Sequence, residues 1–68
     1  MLTWDDTFAI ARELEKIFPD IQFEDISLNN IFEWTLQLPD FDDDPDLVND
    51  SILTTILREW YEEANQHD

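Results

Sequence analysis

The sequence predicts a small, mainly α domain of three helices, and three observations support this prediction. Apolar residues recur with helical spacing in three segments of the 68-residue chain. Two of these segments run up to a proline, Pro19 and Pro39, which ends a helix because its ring and missing N–H cannot continue one. The chain has no glycine, which argues against tight hairpins. We therefore expect one domain over residues 1–68, with a frayed tail at 65–68.

The first helix is expected from about Asp5 to Phe18, with Thr3 or Asp5 as its N-cap. Its apolar residues recur at i, i+4, i+7 and i+8, which gives one stripe facing the core. Phe8 falls off this stripe, so it either packs back on Trp4 or is exposed. The stripe consists of Ile10, Leu14, Ile17 and Phe18.

Residues 20–30 are expected to connect the first two helices. Their apolar residues suggest at most a short extended segment, in which alternate side chains share a face. These residues are Phe23, Ile26 and Leu28.

The second helix is expected to begin at Asn29 or Asn30 and to end at Pro39. Asn30 and Glu33 have the spacing of a capping box, in which two side chains each bond the other residue's backbone N–H. A main apolar stripe and a second flank indicate a helix that packs on two sides. The main stripe is Ile31, Trp34, Thr35 and Leu38, and the flank is Phe32 and Leu36.

The third helix is expected from about Asp50 to Ala64, capped by Asn49 or Asp50. Its apolar periodicity is the cleanest in the chain, so its buried face should be the best defined. That face consists of Leu53, Ile56, Leu57, Trp60 and Ala64.

The charge of the chain is far from balanced. Eighteen acidic residues face three basic ones, which gives a formal net charge of −15. No positive side chain lies between Lys16 and Arg58. Nucleic acid is excluded as a partner because its phosphates need lysine and arginine. A field of this sign instead attracts cations and steers the chain toward basic protein surfaces.

The charge is densest in residues 40–46, which we call the acid loop. Five of its seven residues are aspartates, too many in one turn for solubility alone. Carboxylates bind cations through oxygen, and Ca²⁺, Mg²⁺, Mn²⁺ and Fe²⁺ all accept them. The alternative is that a helix simply starts here and the acids are solvated. The loop is not an EF-hand, because Pro45 stands where glycine is needed and Ser51 where the closing glutamate is needed. The candidate metal ligands are Asp40, Asp42, Asp43, Asp44 and Asp46, and the candidate partner-binding residues are these five with Tyr61 and Glu62.

The absence of certain residue types from the sequence excludes several kinds of site. The absence of cysteine excludes disulfides, thiolate zinc sites and thiol nucleophiles, and the absence of glycine excludes glycine-rich phosphate loops. No apolar run approaches the length of a membrane span. No carboxylate stands out as catalytic, so we expect no enzyme.

The acid loop also carries a family resemblance. The run Asp40-Phe41-Asp42-Asp43-Asp44-Pro45 resembles the signature of the IscX (YfhJ) family, small acidic proteins linked to iron–sulfur cluster assembly. Other positions agree in order and spacing over nearly the whole chain. They are Trp4, Asp6, Leu14, Pro19-Asp20, Trp34, Leu38, Asn49, Ile52-Leu53, Ile56, Trp60 and Glu63-Ala64.

The resemblance implies a modified winged-helix-like fold and a cytoplasmic, monomeric protein. It implies binding to the cysteine desulfurase IscS, weak binding of Fe²⁺, and competition with a frataxin-like protein. The function expected is that of a non-enzymatic adaptor that uses its acidic surface. The alternative is an acidic decoy that mimics DNA and inhibits a basic nucleic-acid-binding protein; a pull-down that returns such a protein and no IscS would favour it.

Overall fold

A computed structural model describes residues 1–65 of the chain. Three α-helices make up most of this region, and each of the two connections between them contains a single 3₁₀ turn. The mainly α class and the three helices are thus confirmed. The elements are α1 (Thr7–Ile17), the turn Phe23–Asp25, α2 (Leu28–Leu36), the turn Pro45–Leu47 and α3 (Asp50–Asn65).

No strand occurs within residues 1–65, where the only β pairing is an isolated parallel bridge between Leu2 and Phe41. None of the helices described is long and apolar enough to cross a membrane. The frayed tail at 65–68 stays a prediction: Asn65 is the last residue of α3, and residues 66–68 lie outside the described region.

Helix α1 begins later than the sequence suggested, and its predicted stripe is buried at Ile10 and Leu14, with Phe18 packed against the core but not Ile17. Its N-cap is Asp6, whose carboxylate accepts hydrogen bonds from the Thr3 backbone N–H (3.0 Å) and hydroxyl (3.3 Å) instead of capping the helix. Ile17 was predicted to be in the core but is half exposed, because the helix ends there. Phe8 is exposed, with the Arg12 guanidinium 5.9 Å from its ring. The buried residues of α1 are Ile10, Ala11 and Leu14.

The connector before α2 contains one 3₁₀ turn and only a short extended stretch, which agrees with the prediction of at most a short extended segment. Phe23 opens a 3₁₀ turn and Leu28 already belongs to α2, which leaves Ile26 in an extended conformation between them. The predicted N-cap was wrong by two to three residues, since Ser27 caps α2. Its hydroxyl accepts the Asn30 N–H (3.2 Å), and the Asn30 side chain accepts the Ser27 N–H (3.0 Å). This is a capping box one turn earlier than predicted.

Helix α2 buries one face and exposes part of the other. Ile31 and Thr35 are fully buried, and the Thr35 hydroxyl donates to the Ile31 carbonyl (2.7 Å). Phe32 packs at the edge of the core and stacks on Trp4 with ring centroids 6.1 Å apart. Leu36 is exposed, so the second apolar flank is buried only at Phe32.

Helix α3 matches its prediction most closely. The Asn49 side chain accepts the Ile52 N–H (2.9 Å), as an N-cap should. The buried residues are Leu53, Ile56 and Trp60. The Trp60 indole N–H donates to Glu15 (3.0 Å), which fixes α3 against α1, its main packing partner.

Aromatic rings fill the core at two places. Trp60 is fully buried and contacts the rings of Phe18, Phe23 and Trp34 at centroid distances of 6.2, 5.2 and 6.1 Å. Trp4 is buried at the other place, between Phe32 and Phe41. An indole removes about 150–250 Å² from water, roughly 4–6 kcal/mol before the entropy cost. Two such residues supply a large part of the apolar burial that stabilises a chain this short.

Candidate functional site: the acid loop

The acid loop is fastened to the start of the chain by main-chain hydrogen bonds. The Leu2 N–H donates to the Asp40 carbonyl (2.7 Å), and the Asp42 N–H donates to the Leu2 carbonyl (2.8 Å). These two bonds form the isolated bridge with Phe41 at its centre. The first half of the loop therefore has a defined backbone although it contains no regular secondary structure.

Trp4 holds the second half of the loop. Its backbone N–H donates to the Asp43 carboxylate (3.0 Å), and its indole N–H donates to the Asp44 carbonyl (2.8 Å). The Phe41 ring meets the Trp4 indole edge-on at 4.6 Å. Since Trp4 is 2% exposed, these contacts anchor the loop in the core.

Two of the five aspartates stabilise the turn itself. Asp43 accepts the Asp44 N–H (2.7 Å), in addition to the bond from Trp4. Asp44 accepts the Asp46 N–H (2.9 Å) and caps the 3₁₀ turn that begins at Pro45. Half-buried Asp43 and, to a lesser degree, Asp44 therefore have a structural role that their acidity alone did not reveal.

The other three aspartates are free for external contacts. Asp40, Asp42 and Asp46 are exposed, and their carboxylates accept no hydrogen bond from residues 1–65. Each is a charged acceptor on a backbone held in place by its neighbours. The loop thus presents fixed negative charge to solvent.

No cation of the described region pairs with the acid loop. Arg12 approaches Glu63 (3.9 Å), and Lys16 pairs with Glu13 (3.0 Å). Asp40 shares an open groove of about 420 Å³ with Arg12 and Lys16, yet forms an ion pair with neither. The loop therefore keeps its charge, as its composition predicted.

The described residues do not form a ready-made metal site. Among residues 1–65, no three acidic or histidine side chains are grouped so that they could hold a metal ion. The donors in the loop are all oxygens, which suits Fe²⁺, but two carboxylates are already engaged by N–H groups. Oxygen donors of this kind are those that hard cations prefer, but the described residues do not group them around one point.

Tyr61 and Glu62 are remote from the acid loop. They lie in the last turns of α3, about 16 Å along the helix axis from Asp50, at a rise of about 1.5 Å per residue. Tyr61 is 52% exposed, and its ring meets Phe23 edge-on at 5.3 Å. The candidate partner-binding residues thus form two separate surfaces.

Trp4 is the residue of this site that sequence analysis missed. It is buried, and its two hydrogen bonds to the loop span 39 and 40 residues. No local pattern signals a contact over that separation.

Comparison with known proteins identifies a family and a relative of this chain. A model of the iron-sulphur cluster assembly family matches residues 2–65. The chain is also similar to an uncharacterized protein of Pseudomonas aeruginosa, PA3808, with 31% identity over 64 residues; the match covers 94% of this chain and 97% of that protein.

The match over residues 2–65 assigns this small acidic helical chain to a class of iron–sulfur assembly proteins. The chain belongs to the iron-sulphur cluster assembly family, the IscX (YfhJ) family, which confirms the resemblance drawn from its sequence.

Proposed function

We propose that this protein is a non-enzymatic cytoplasmic adaptor that docks on the cysteine desulfurase IscS through its acidic surface and modulates cluster assembly. One observation carries the proposal. The exposed aspartates Asp40, Asp42 and Asp46 remain without countercharge on a backbone that Trp4 and Leu2 hold in place. Family membership supplies the process in which such a surface acts.

The mechanism is electrostatic steering followed by docking of a rigid turn. A field of one sign raises the encounter rate with an oppositely charged surface by 10-fold to 10³-fold at low salt. Because the loop is already held, little conformational entropy is lost when it docks. A frataxin-like protein that uses an acidic surface would compete for the same basic patch. We expect one monomer of this chain to bind at each such patch.

The first prediction concerns the three free aspartates. In the triple variant Asp40→Asn, Asp42→Asn and Asp46→Asn, the association rate with IscS at low salt should fall on the order of tenfold, because the steering charge at the contact is lost. Stopped-flow or surface plasmon resonance at two salt concentrations measures this rate. The dissociation rate should change less.

A matched variant separates the loop from net charge. Asp20→Asn, Glu24→Gln and Asp25→Asn also remove three exposed negative charges, but from the first connector. This control should bind IscS almost as fast as the parent. Equal slowing in both variants would mean that only total charge matters, and unchanged binding in the loop variant would exclude the loop as the docking surface.

We also propose weak binding of Fe²⁺ by the acid loop. All-oxygen donors and the absence of a preformed cluster support low affinity and poor selectivity. In anaerobic NMR titrations, paramagnetic Fe²⁺ should broaden the amide signals of residues 40–46 first. The loop variant should lose this selective broadening, whereas the connector control keeps it. Uniform broadening in the parent would argue against a local site.

A further inference from the structure

A second surface feature, separate from the acid loop, lies on the exposed side of α3. It is an open groove of about 290 Å³, which we call the α3 groove. The Phe23 and Tyr61 rings line it and meet edge-on. The groove therefore runs between the 3₁₀ turn Phe23–Asp25 and α3. Its lining residues are Phe23, Thr54, Leu57, Arg58 and Tyr61.

The surface of the α3 groove is almost wholly apolar. Carbon atoms supply nearly all of it, and the hydroxyls of Thr54 and Tyr61 and the guanidinium of Arg58 contribute next to none. Phe23 also meets the buried Trp60 ring edge-on at 5.2 Å, which holds one wall of the groove against the core. The groove is therefore preformed, and an apolar group that enters it leaves water without having to order a loop.

Carboxylates adjoin this apolar surface. Glu24 and Asp25 follow Phe23 in the same 3₁₀ turn, and Glu62 comes directly after a lining residue in α3. All three are exposed, and none forms an ion pair within residues 1–65. Arg58 is the one cation among the lining residues, so the charge around the groove is negative, like that of the whole chain.

The charge and the size of the groove limit what can occupy it. A second copy of the chain would bring another formal charge of −15 against the first. A stable dimer also buries about 800 Å² on each partner, whereas a groove of about 290 Å³ takes one large side chain. Acidic proteins and nucleic acid are repelled by the same field. The occupant that fits both the apolar lining and the surrounding charge is an apolar side chain with cationic neighbours.

We propose that the α3 groove binds one large apolar side chain from a segment of a partner protein that carries lysine or arginine on both sides of it. The apolar side chain packs against Phe23, Leu57 and Tyr61, and the flanking cations meet the carboxylates that adjoin the groove. This contact is separate from the acid loop and does not depend on the docking proposed above.

The test uses three peptides in ¹⁵N NMR titrations at 0.15 M salt. The probe is acetyl-KKWKK-amide, and its matched controls are acetyl-KKAKK-amide, which lacks the apolar side chain, and acetyl-QQWQQ-amide, which lacks the charge. The probe should shift the signals of Phe23 and residues 54–61 in a saturable way, and each control should bind there at least about threefold more weakly. Equal binding of the probe and either control at these signals, or no saturable shift of them, would overturn the proposal.

Two aromatic variants test the apolar contact. Tyr61→Ala removes a half-exposed wall of the groove and should weaken binding of the probe at least about threefold. Phe8→Ala removes an equally exposed ring from α1 and should leave that binding unchanged. Unchanged binding in Tyr61→Ala would rule out the groove as the site of the apolar side chain.

A pair of charge variants tests the cationic flanks without altering the apolar lining. Glu24→Gln, Asp25→Asn and Glu62→Gln together should weaken binding of the probe at least about threefold at the groove signals. The acid loop variant described above removes the same number of charges elsewhere and should weaken that binding less. Equal weakening by both variants would mean that the probe responds to total charge, which contradicts recognition by the groove.

Discussion

Asp43 and Asp42 are neighbours with the same charge and different roles. Asp43 accepts hydrogen bonds from the backbone of Trp4 and Asp44, whereas Asp42 points its carboxylate to solvent. A carboxylate that satisfies two N–H groups stabilises the fold, and one that meets only other negative charges opposes it.

Replacing these residues one at a time should separate the two roles. Asp43→Ala should lower the free energy of unfolding by about 1–3 kcal/mol, because the Trp4 and Asp44 N–H groups lose a charged acceptor. Asp42→Ala should leave stability unchanged or raise it. Urea denaturation followed by tryptophan fluorescence measures both. Equal effects would show that the Trp4 contact contributes nothing.

The same contrast explains how far the site could be predicted. The position of the acid loop, its excess charge and its lack of cationic partners follow from composition, since three basic residues cannot neutralise eighteen acids. Composition does not predict which aspartates bond the backbone and which remain exposed. It depends on where Trp4 lies after folding, and a contact across 39 residues has no local signature.

At the scale of the elements, the N-caps determine where the helices begin. Ser27 closes a reciprocal capping box with Asn30 at the start of α2. In α3, Ser51 lies in the first turn, and Asn49 performs the capping. The two serines therefore differ in function although both stand near a helix start.

Ser27→Ala should destabilise the protein by about 0.5–2 kcal/mol, because the Asn30 N–H loses its acceptor. Ser51→Ala is the matched control and should be neutral or slightly stabilising, since alanine favours the helix interior. Thermal melts followed by circular dichroism give both values. A Ser27→Ala melt that coincides with that of the parent would rule out an energetic role for the box.

The accuracy of the helix predictions follows the clarity of their periodicity. Helix α3 was correct because its apolar residues recur regularly and Asn49 was available as a cap. The cap of α2 was placed at Asn29 or Asn30, whereas Ser27 caps the helix. Serine and asparagine are about equally good N-caps, so propensity alone does not rank them. In α1, Ile10 and Leu14 are buried as predicted, and Ala11 joins them, whereas Ile17, the last residue of the helix, is half exposed.

At the scale of the whole molecule, repulsion among the negative charges destabilises a fold that has only a small apolar core to stabilise it. The described fold has a radius of gyration of 11.0 Å and must hold most of a formal charge of −15 within it. Two pairs, Arg12–Glu63 and Lys16–Glu13, are the only ion pairs in residues 1–65. Most of the repulsion is therefore relieved only by solvent ions.

Added salt should consequently stabilise the protein. Raising NaCl from 10 mM to 0.5 M should raise the Tm by at least about 4 °C, because the screening length falls well below the dimensions of the domain. Calorimetry across a salt series measures this shift. A Tm that stays constant over the series would show that self-repulsion does not limit stability.

The pairing of Leu2 with Asp40 and Asp42 has a practical consequence for anyone who purifies this protein. Whatever is fused ahead of Met1 emerges beside the proposed docking surface. A polyhistidine tag at that end would place imidazoles next to the aspartates and supply both metal ligands and cationic charge. Affinity and iron measurements should therefore be made with a tag at the other terminus or with none.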